Sequence, residues 1–580
     1  MAAALGRVNV PLLLHRLFAI DFRALGWFRI VLGLMLIRDY LTRIPDIAAH
    51  YTETGVMPIR SAQAYYNTDF QVFVSHYSWN GSYEWSLTLM ILGIVAAIVF
   101  ILGWKTRLAT FVSWLLVIGL HTRYPLVQEG SDVYLRQMLF WSLFLPLGAR
   151  YSVDGLAAQH VAHHRSLPRT VLSVASAGLL LQVAIVYWFN AITKSGPQWR
   201  TDFTALHYAL NLEAFTRPLG LWWRDHLHWT LAPLTMAVFY LEALGPFLPF
   251  VPWRTESVRV WVASLFITFH LFGIGLLMDV GAFYYVAALP WVLYLPSTFW
   301  DRFERIGGRL PASHLTNAAR HLRDALIDWR SRRIARLIEQ GAPVPRLGLS
   351  LPGQIVAFFF LNYIVLWNLH DSGVTWANRH LPPANREIMF LTRVDQYWGM
   401  FAPYPMTADA WVVLPALTAD ETLFDLYKMT APVNYDKPRS VKEFYRNTRW
   451  RKYLTNLYEP RFSNQRIFYC QWLAREWNRT HHGPQALISL WYCVVEELTV
   501  PEGRQPKRTL RVLHTYSNLA DKTTGLLRAV STPANGEYPP GTPPELIPAP
   551  TSEPASKPVE GAAPHGVNRS TQPEKNLQKR

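Results

Sequence analysis

Arg29, Arg38, Asp39, Asp132, Arg136, Lys194, Glu242, His270 and Asp279 all stand within or beside long apolar runs of this chain. A charged group at the centre of a membrane span costs about 2.5–3.5 kcal/mol on insertion scales, so such residues face the interior and pair with one another. Lys194 has the surroundings best suited to chemistry. It ends an apolar run, follows Tyr187, Trp188, Phe189 and Asn190, and precedes Gly196-Pro197-Gln198-Trp199. A partly dry lysine has a lowered pKa and can act as a general base near neutral pH. An aromatic-lined, half-dry site of that type suits a flat lipidic ligand. The competing reading is a lysine that snorkels from the end of a span into water. His270 lies mid-span, as a second polar group or as a hydrogen-bonded core residue. Asp132 and Arg136, four apart, can pair along one helix face, whereas the neighbours Arg38 and Asp39 project to different sides and need separate partners. Glu242 precedes the Gly245-Pro246 break, where freed backbone groups either open a polar cavity or are satisfied by that carboxyl. The sequence has no phosphate loop, zinc pair or G-x-S-x-G elbow.

The elements that must carry these residues are set by hydropathy. Of the 580 residues 51% are hydrophobic, 17% are charged and 24 are Trp, a composition suited to many positions at a membrane interface. The net charge of +16 lies largely in loops beside apolar runs, which points to anionic lipid headgroups and topology and away from nucleic acid. Runs of about 20 apolar residues cross a bilayer. Clear candidates are 85–104, 170–193, 229–251, 258–278, 281–300 and 351–368, with 22–42, 108–121 and 133–148 less clean, giving about nine spans. With a cytoplasmic N-terminus, the inner loops hold Lys105 and Arg107, then Arg150, Arg165 and Arg169, then Arg254, and an Arg-rich block from Arg302 to Arg346. Beyond Arg43 at the edge of the first span, the first two outer loops hold Arg60 and Arg123 alone, while the third, after Lys194, holds several but is longer and weighs less. That is the positive-inside pattern, and it places the chain after Asn368 outside the cytoplasm.

Within the basic block, Leu315, Ala319, Leu322, Leu326, Trp329 and Leu337 recur at helical spacing, as in an amphipathic helix on the cytoplasmic leaflet. The expected domain organisation is a transmembrane unit over 17–300, this cytoplasmic loop over 301–350, a last span over 351–370, an extracytoplasmic α+β domain over 371–530 and a disordered Pro-rich tail over 531–580. In the α+β domain, Ala410–Leu417 and Leu487–Val500 read as strands, and Val441–Leu457 and Gln465–Thr480 as helices. Cys470 and Cys493 lack metal-ligand spacing, but in an oxidising compartment they could pair. The first apolar run, 11–20, is short and interrupted by His15 and Arg16, unlike a signal peptide. No inverted repeat of the transporter kind is visible.

The segments LFAIDFRALGWFRIVLGLMLIRDYL, AHYTETGVMP, PLGARYSVDGL, IVYWFNAITKSGPQW and FHLFGIGLLMDVGAF, in that order over about Leu17 to Trp300, together resemble the HTTM membrane domain. This module is shared by vitamin K-dependent gamma-glutamyl carboxylase and its bacterial relatives. WGMFAPYP, WRKYLTNL and FYCQWLAREWN resemble the C-terminal part of bacterial HTTM proteins. The resemblance implies a multi-pass protein of the bacterial inner membrane, with Lys194 as a base toward a reduced quinone and Trp199 in the same frame. On this reading Lys194 and His270 are the catalytic candidates, and Trp199, Tyr187 and Asp132 the cofactor-binding ones. The carboxylase carries a histidine before its S-V-D-G segment where this chain has Gly148-Ala-Arg-Tyr-Ser152, which puts carboxylation itself in doubt.

Two functions follow as expectations. The first is an enzyme that modifies a peptide or lipid at the outer face with a lysine base and a quinone ligand. The second is a non-enzymatic maturation or export factor for a secreted peptide, as among sporulation-delaying protein B-type relatives. A transporter is disfavoured by the missing repeat.

Overall fold

The computed structural model describes residues 10–66, 69–161, 168–307, 348–380, 386–500, 506–520, 527–532 and 538–548, with isolated positions between 324 and 336. In chain order its main helices are α1 (Phe22–Arg43), α2 (Tyr83–Leu102), α3 (Thr106–Arg123), α4 (Gly130–Ser142), α5 (Val174–Thr193), α6 (Leu231–Leu244), α7 (Thr255–Thr268) and α8 (Leu351–Asp371).

Among the described residues, five helical stretches are long and apolar enough to cross a membrane: α2, α5, His228–Phe250 around α6, Thr255–Leu277 beginning with α7, and α8. The most apolar window of α5 is 78% buried, against 28–39% for the other four, so α5 is the most enclosed of them, and it packs against α6 and α8. The others turn apolar side chains outward, including Leu92 and Val95 on α2, Trp261 and Leu265 on α7, and Phe358 and Phe359 on α8. A continuous apolar exterior of this kind is what hydrocarbon would cover.

Local signals fix the helix ends. Ser173 and Ser176 form a capping box at the start of α5, with reciprocal bonds of 3.1 and 2.9 Å. Gly103 ends α2 at φ 65°, where its amide reaches the last carbonyls. Asp154 bonds the Lys105 and Thr106 amides at 3.2 and 2.8 Å, tying the first turn of α3 to the PLGARYSVDGL segment. The buried Arg29 donates to the carbonyls of Leu147 and Tyr151 in that segment, so its role is to hold a turn.

Several expected spans differ. The run 281–300 is broken into Phe283–Ala288, a tight turn Leu289–Tyr294 and the start of Ser297–Gly307, because Pro290 cannot continue an α-helical ladder. Helix α4 has 13 residues and stops at Ser142. Helix α1 has the length but carries Arg23, Arg29, Arg38, Asp39 and Arg43. The amphipathic helix expected over 315–337 falls, but for isolated positions, outside the described residues.

The C-terminal part contains α9 (Thr448–Tyr458), α10 (Arg466–Asn478) and an antiparallel sheet of β1 (Ala408–Val413), β2 (Pro415–Thr418), β3 (Leu423–Asp425), β4 (Leu487–Leu498), β5 (Arg508–Ala520) and β6 (Leu527–Thr532). Strand β4 is the hub, pairing with β1 and β2 along one edge and β5 along the other. The expected helix from Val441 begins only at Thr448, because Asn447 caps it, accepting from the Arg449 and Trp450 amides at 2.9 and 3.0 Å. The expected disordered tail also begins too early. β6 runs to Thr532, and Leu546 is buried with Trp411, Val413 and Cys493 on one face of the sheet. Residues 549–580 lie outside the described residues.

The two cysteines are free and buried. Cys470 belongs to the main core, as do Tyr492 and Val494 of β4, whereas Cys493 faces the opposite cluster. Alternation along β4 thus directs the Cys493 thiol to the side of the sheet away from Cys470, and the two thiols are unpaired.

Candidate functional site

Tyr187, Asn190 and Lys194 recur at i, i+3 and i+7 on α5 and therefore share one face. Lys194 is only 3% exposed, so it is no snorkelling anchor. Its ammonium forms an ion pair with Glu242 Oε2 and lies 4.0 Å from the centroid of the Trp199 ring. Glu242, near the end of α6, also accepts from Asn190 Nδ2 at 3.2 Å. The carboxylate before the Gly245-Pro246 break thus serves the lysine of the neighbouring helix. A buried pair of this kind is stable only when its remaining hydrogen-bond capacity is met, which Asn190 and the indole face help to do.

The WGMFAPYP segment closes over this group. The Met400 amide donates to Asn190 Oδ1 at 3.1 Å, Trp199 Nε1 donates to the Phe401 carbonyl at 2.8 Å, and the Gly196 amide donates to the Pro403 carbonyl at 3.1 Å. Gly196 is required by proximity, since a Cβ there would stand 2.4 Å from the Tyr404 ring. Asn190 is the residue that sequence reasoning undervalued. Its spacing from Lys194 placed it on the same face, and a buried amide so placed needs partners.

His270 and Tyr187 form a separate chain. Trp291 Nε1 donates to Tyr187 Oη at 2.9 Å, and Tyr187 Oη lies 2.7 Å from His270 Nε2. The indole N–H only donates, so the phenol oxygen accepts from Trp291, while the direction of its bond with His270 follows the imidazole tautomer. His270 Nδ1 has no hydrogen-bond partner among the described residues. His270 sits in a π-helical turn, Phe269–Ile274, a distortion often found at functional sites. No described hydrogen bond, ion pair or ring contact joins His270 to Lys194.

Asp132 belongs to neither group. Its carboxylate is held by Arg43 at 2.9 Å and, through two bonds, by Arg449 of α9, while Arg43 and Arg449 also bind Asp39 at 3.0 and 2.8 Å. Two carboxylates and two guanidiniums balance in this cluster. Asp39, His121 and Asp132 bring potential metal ligands within 4.8 Å of one another, yet the two arginines already occupy the carboxylate oxygens. The expected Asp132–Arg136 pair does not form. Arg136 instead binds Asp395 at 2.9 Å and Gln128 Oε1 at 2.8 Å.

Two cavities open between the helices and the C-terminal part. One, about 410 Å³, is lined by Arg38, Glu129, Asp279, Lys442, Arg446 and Arg451, among others. There Lys442 pairs with Asp279 at 2.9 Å and holds its carboxyl below the usual range. The second, about 270 Å³, is lined by Tyr65, Glu129, Trp367, Met400 and Lys452, among others. Glu129 borders both and packs against Gly281, at φ +63°, where a Cβ would stand 2.1 Å from Glu129 Oε2. Neither of these two cavities is lined by Lys194, Trp199 or Tyr187.

Comparisons with protein-family models, with curated proteins and with solved structures find no match to this chain.

Proposed function

We propose that this chain is a multi-pass membrane protein that modifies a peptide or lipid, with Lys194 and Glu242 as its proton-transferring pair. The observation that carries this reading is the buried Lys194–Glu242 ion pair, set against Trp199 at the end of the central helix. Ionisable pairs inside a membrane-type helix bundle are costly to keep and are functional by default. Glu242 gives Lys194 a route to a neutral amine: the ammonium passes a proton to the carboxylate, and the amine then takes a proton from an acidic C–H or X–H group of the substrate. Substrate access runs past residues 399–404, whose backbone closes the site. The alternation of basic loops supports about nine crossings, a cytoplasmic N-terminus and an outer location for 371–530, and the sequence resemblance suggests a bacterial inner membrane.

A second reading, a maturation or export factor for a secreted peptide, is favoured by one observation. Lys194 is paired with Glu242 and stacked on Trp199, and neither described cavity reaches it. Mass spectrometry of lipids and secreted peptides from cells carrying wild type or Lys194→Arg separates the two. Arginine keeps the charge but does not release a proton near neutral pH. The enzyme reading expects a mass-shifted product with wild type and none with Lys194→Arg. Identical products from both sink it.

A further inference from the structure

We infer that the 270 Å³ cavity between the start of α4 and α9 is a binding site for a small amphipathic carboxylate, with Lys452 as the partner of its charge. The inference does not depend on the role of Lys194.

Lys452 is partly buried and lines the cavity, yet among the described residues no hydrogen bond or ion pair holds its ammonium. The other inner cations are engaged. Arg136 binds Asp395 and Gln128, and Arg393 faces Asp395 at 3.2 Å and donates to Tyr66 Oη at 3.2 Å. At the exposed rim, Arg461 lies over the Phe462 ring with its centroid 4.6 Å away and has no carboxylate partner among the described residues. Burial pushes the Lys452 pKa below the ordinary lysine value. Glu129 and Glu459 oppose that shift, while Arg461 and Arg451 add to it. A cation kept in such a place without a partner is unfavourable, and a ligand carboxylate reverses the sign of its contribution.

The walls fix the rest of the ligand. Tyr65, Trp367, Phe390 and Phe462 offer ring faces, and Met400 offers an adaptable thioether. The volume lies near the lower end of small-molecule pockets, about 300 Å³, which suits a one- or two-ring or short-chain acid. Glu129, at the junction with the larger cavity, disfavours a second negative charge on the ligand at that end. Asp371 and Asp395 also line the cavity, the latter bound by Arg136 and Arg393, so a ligand carboxylate is favoured only beside Lys452 and Arg461, with aromatic rings between.

Calorimetric titration of the purified full-length protein in detergent with 2-naphthoate and with uncharged 2-naphthamide tests this. The expected result is at least tenfold tighter binding of the carboxylate. Lys452→Met should abolish that preference, retain the affinity for the amide, and leave the melting temperature equal or higher because an unpaired cation has gone. Equal affinities for the two probes in wild type, no binding of either, or a preference that survives Lys452→Met overturns the inference. The wild-type comparison decides on its own if Lys452→Met does not accumulate.

Discussion

Arg449 grips Asp132 across 317 residues of sequence, with one nitrogen 2.8 Å from Oδ1 and the other bonded to Oδ2. The same guanidinium reaches Asp39 and the Val127 carbonyl, so one side chain of α9 joins α1, α4 and the loop between α3 and α4. Its neighbours extend the clasp. Trp450 Nε1 donates to Asp46 at 3.0 Å, Arg451 donates to the Ala214 and Asp279 carbonyls, and Asn456 donates to the Leu126 carbonyl at 2.7 Å. The WRKYLTNL helix is therefore an integral part of the helical core.

Arg449→Ala should accordingly destabilise the protein by about 3–5 kcal/mol, the usual result of leaving a buried charge uncompensated. Arg449→Lys should recover little, because an ammonium cannot reproduce two parallel bonds to a carboxylate while also reaching Asp39. The check is the amount of full-length protein in membranes together with its thermal unfolding. Wild-type abundance and melting for Arg449→Ala would show that the cluster does not hold the two parts together.

Much of the helical frame was legible because periodicity and caps are local. Tyr83–Leu102 and Val174–Thr193 follow directly from their apolar runs and their Ser82 and Ser173 caps. The strand Leu487–Leu498 and the helix Arg466–Asn478 also lie close to where the pattern put them. Partnerships were not legible, since they depend on long-range approach. Asp132 had Arg136 at helical spacing, yet it is claimed by Arg43 and Arg449 because α9 enters the core beside it. Lys194 and Glu242 both stood out as ions in apolar runs, but only the packing of α5 against α6 joins them. Lys452 drew no attention, because in the sequence it is one basic residue beside Arg449 and Arg451.

A pH effect should appear at the sheet edge. Lys437 faces Glu213, Asp409 and Glu497 at 3.1, 3.3 and 2.7 Å, so three carboxylates share one ammonium, with Arg508 assisting Glu497. Burial pushes Asp409 up from 3.8 to about 6, with Lys437 opposing and Glu213 adding to the rise. A raised acid favours the folded state while protonated. Its contribution is fully present below the unfolded pKa and is lost as pH rises through about 6. Two pKa units correspond to roughly 3 kcal/mol. Asp409→Asn should raise the melting temperature at pH 8 and flatten its change between pH 5 and 7. An unchanged slope would show that another group titrates there.

Burial also pushes both cysteine thiols above their ordinary value, so neither should react while the protein is folded. Iodoacetamide at pH 8 should label neither cysteine in the native protein and both after unfolding without a reductant. A protein lighter by two hydrogens that resists labelling after unfolding would mean that Cys470 and Cys493 are joined.

The double variant Lys194→Met/Glu242→Leu tests the proton-transferring pair most directly. Each single change leaves a buried charge alone and should lower abundance, whereas replacing both by apolar side chains of similar size is often neutral or stabilising. Membrane abundance, thermal unfolding and the mass-shifted lipid or peptide product are measured together on wild type and the double variant. The account predicts near-normal abundance and unfolding for the double variant, with the product absent. A double variant that accumulates, unfolds like wild type and still forms the product would contradict it.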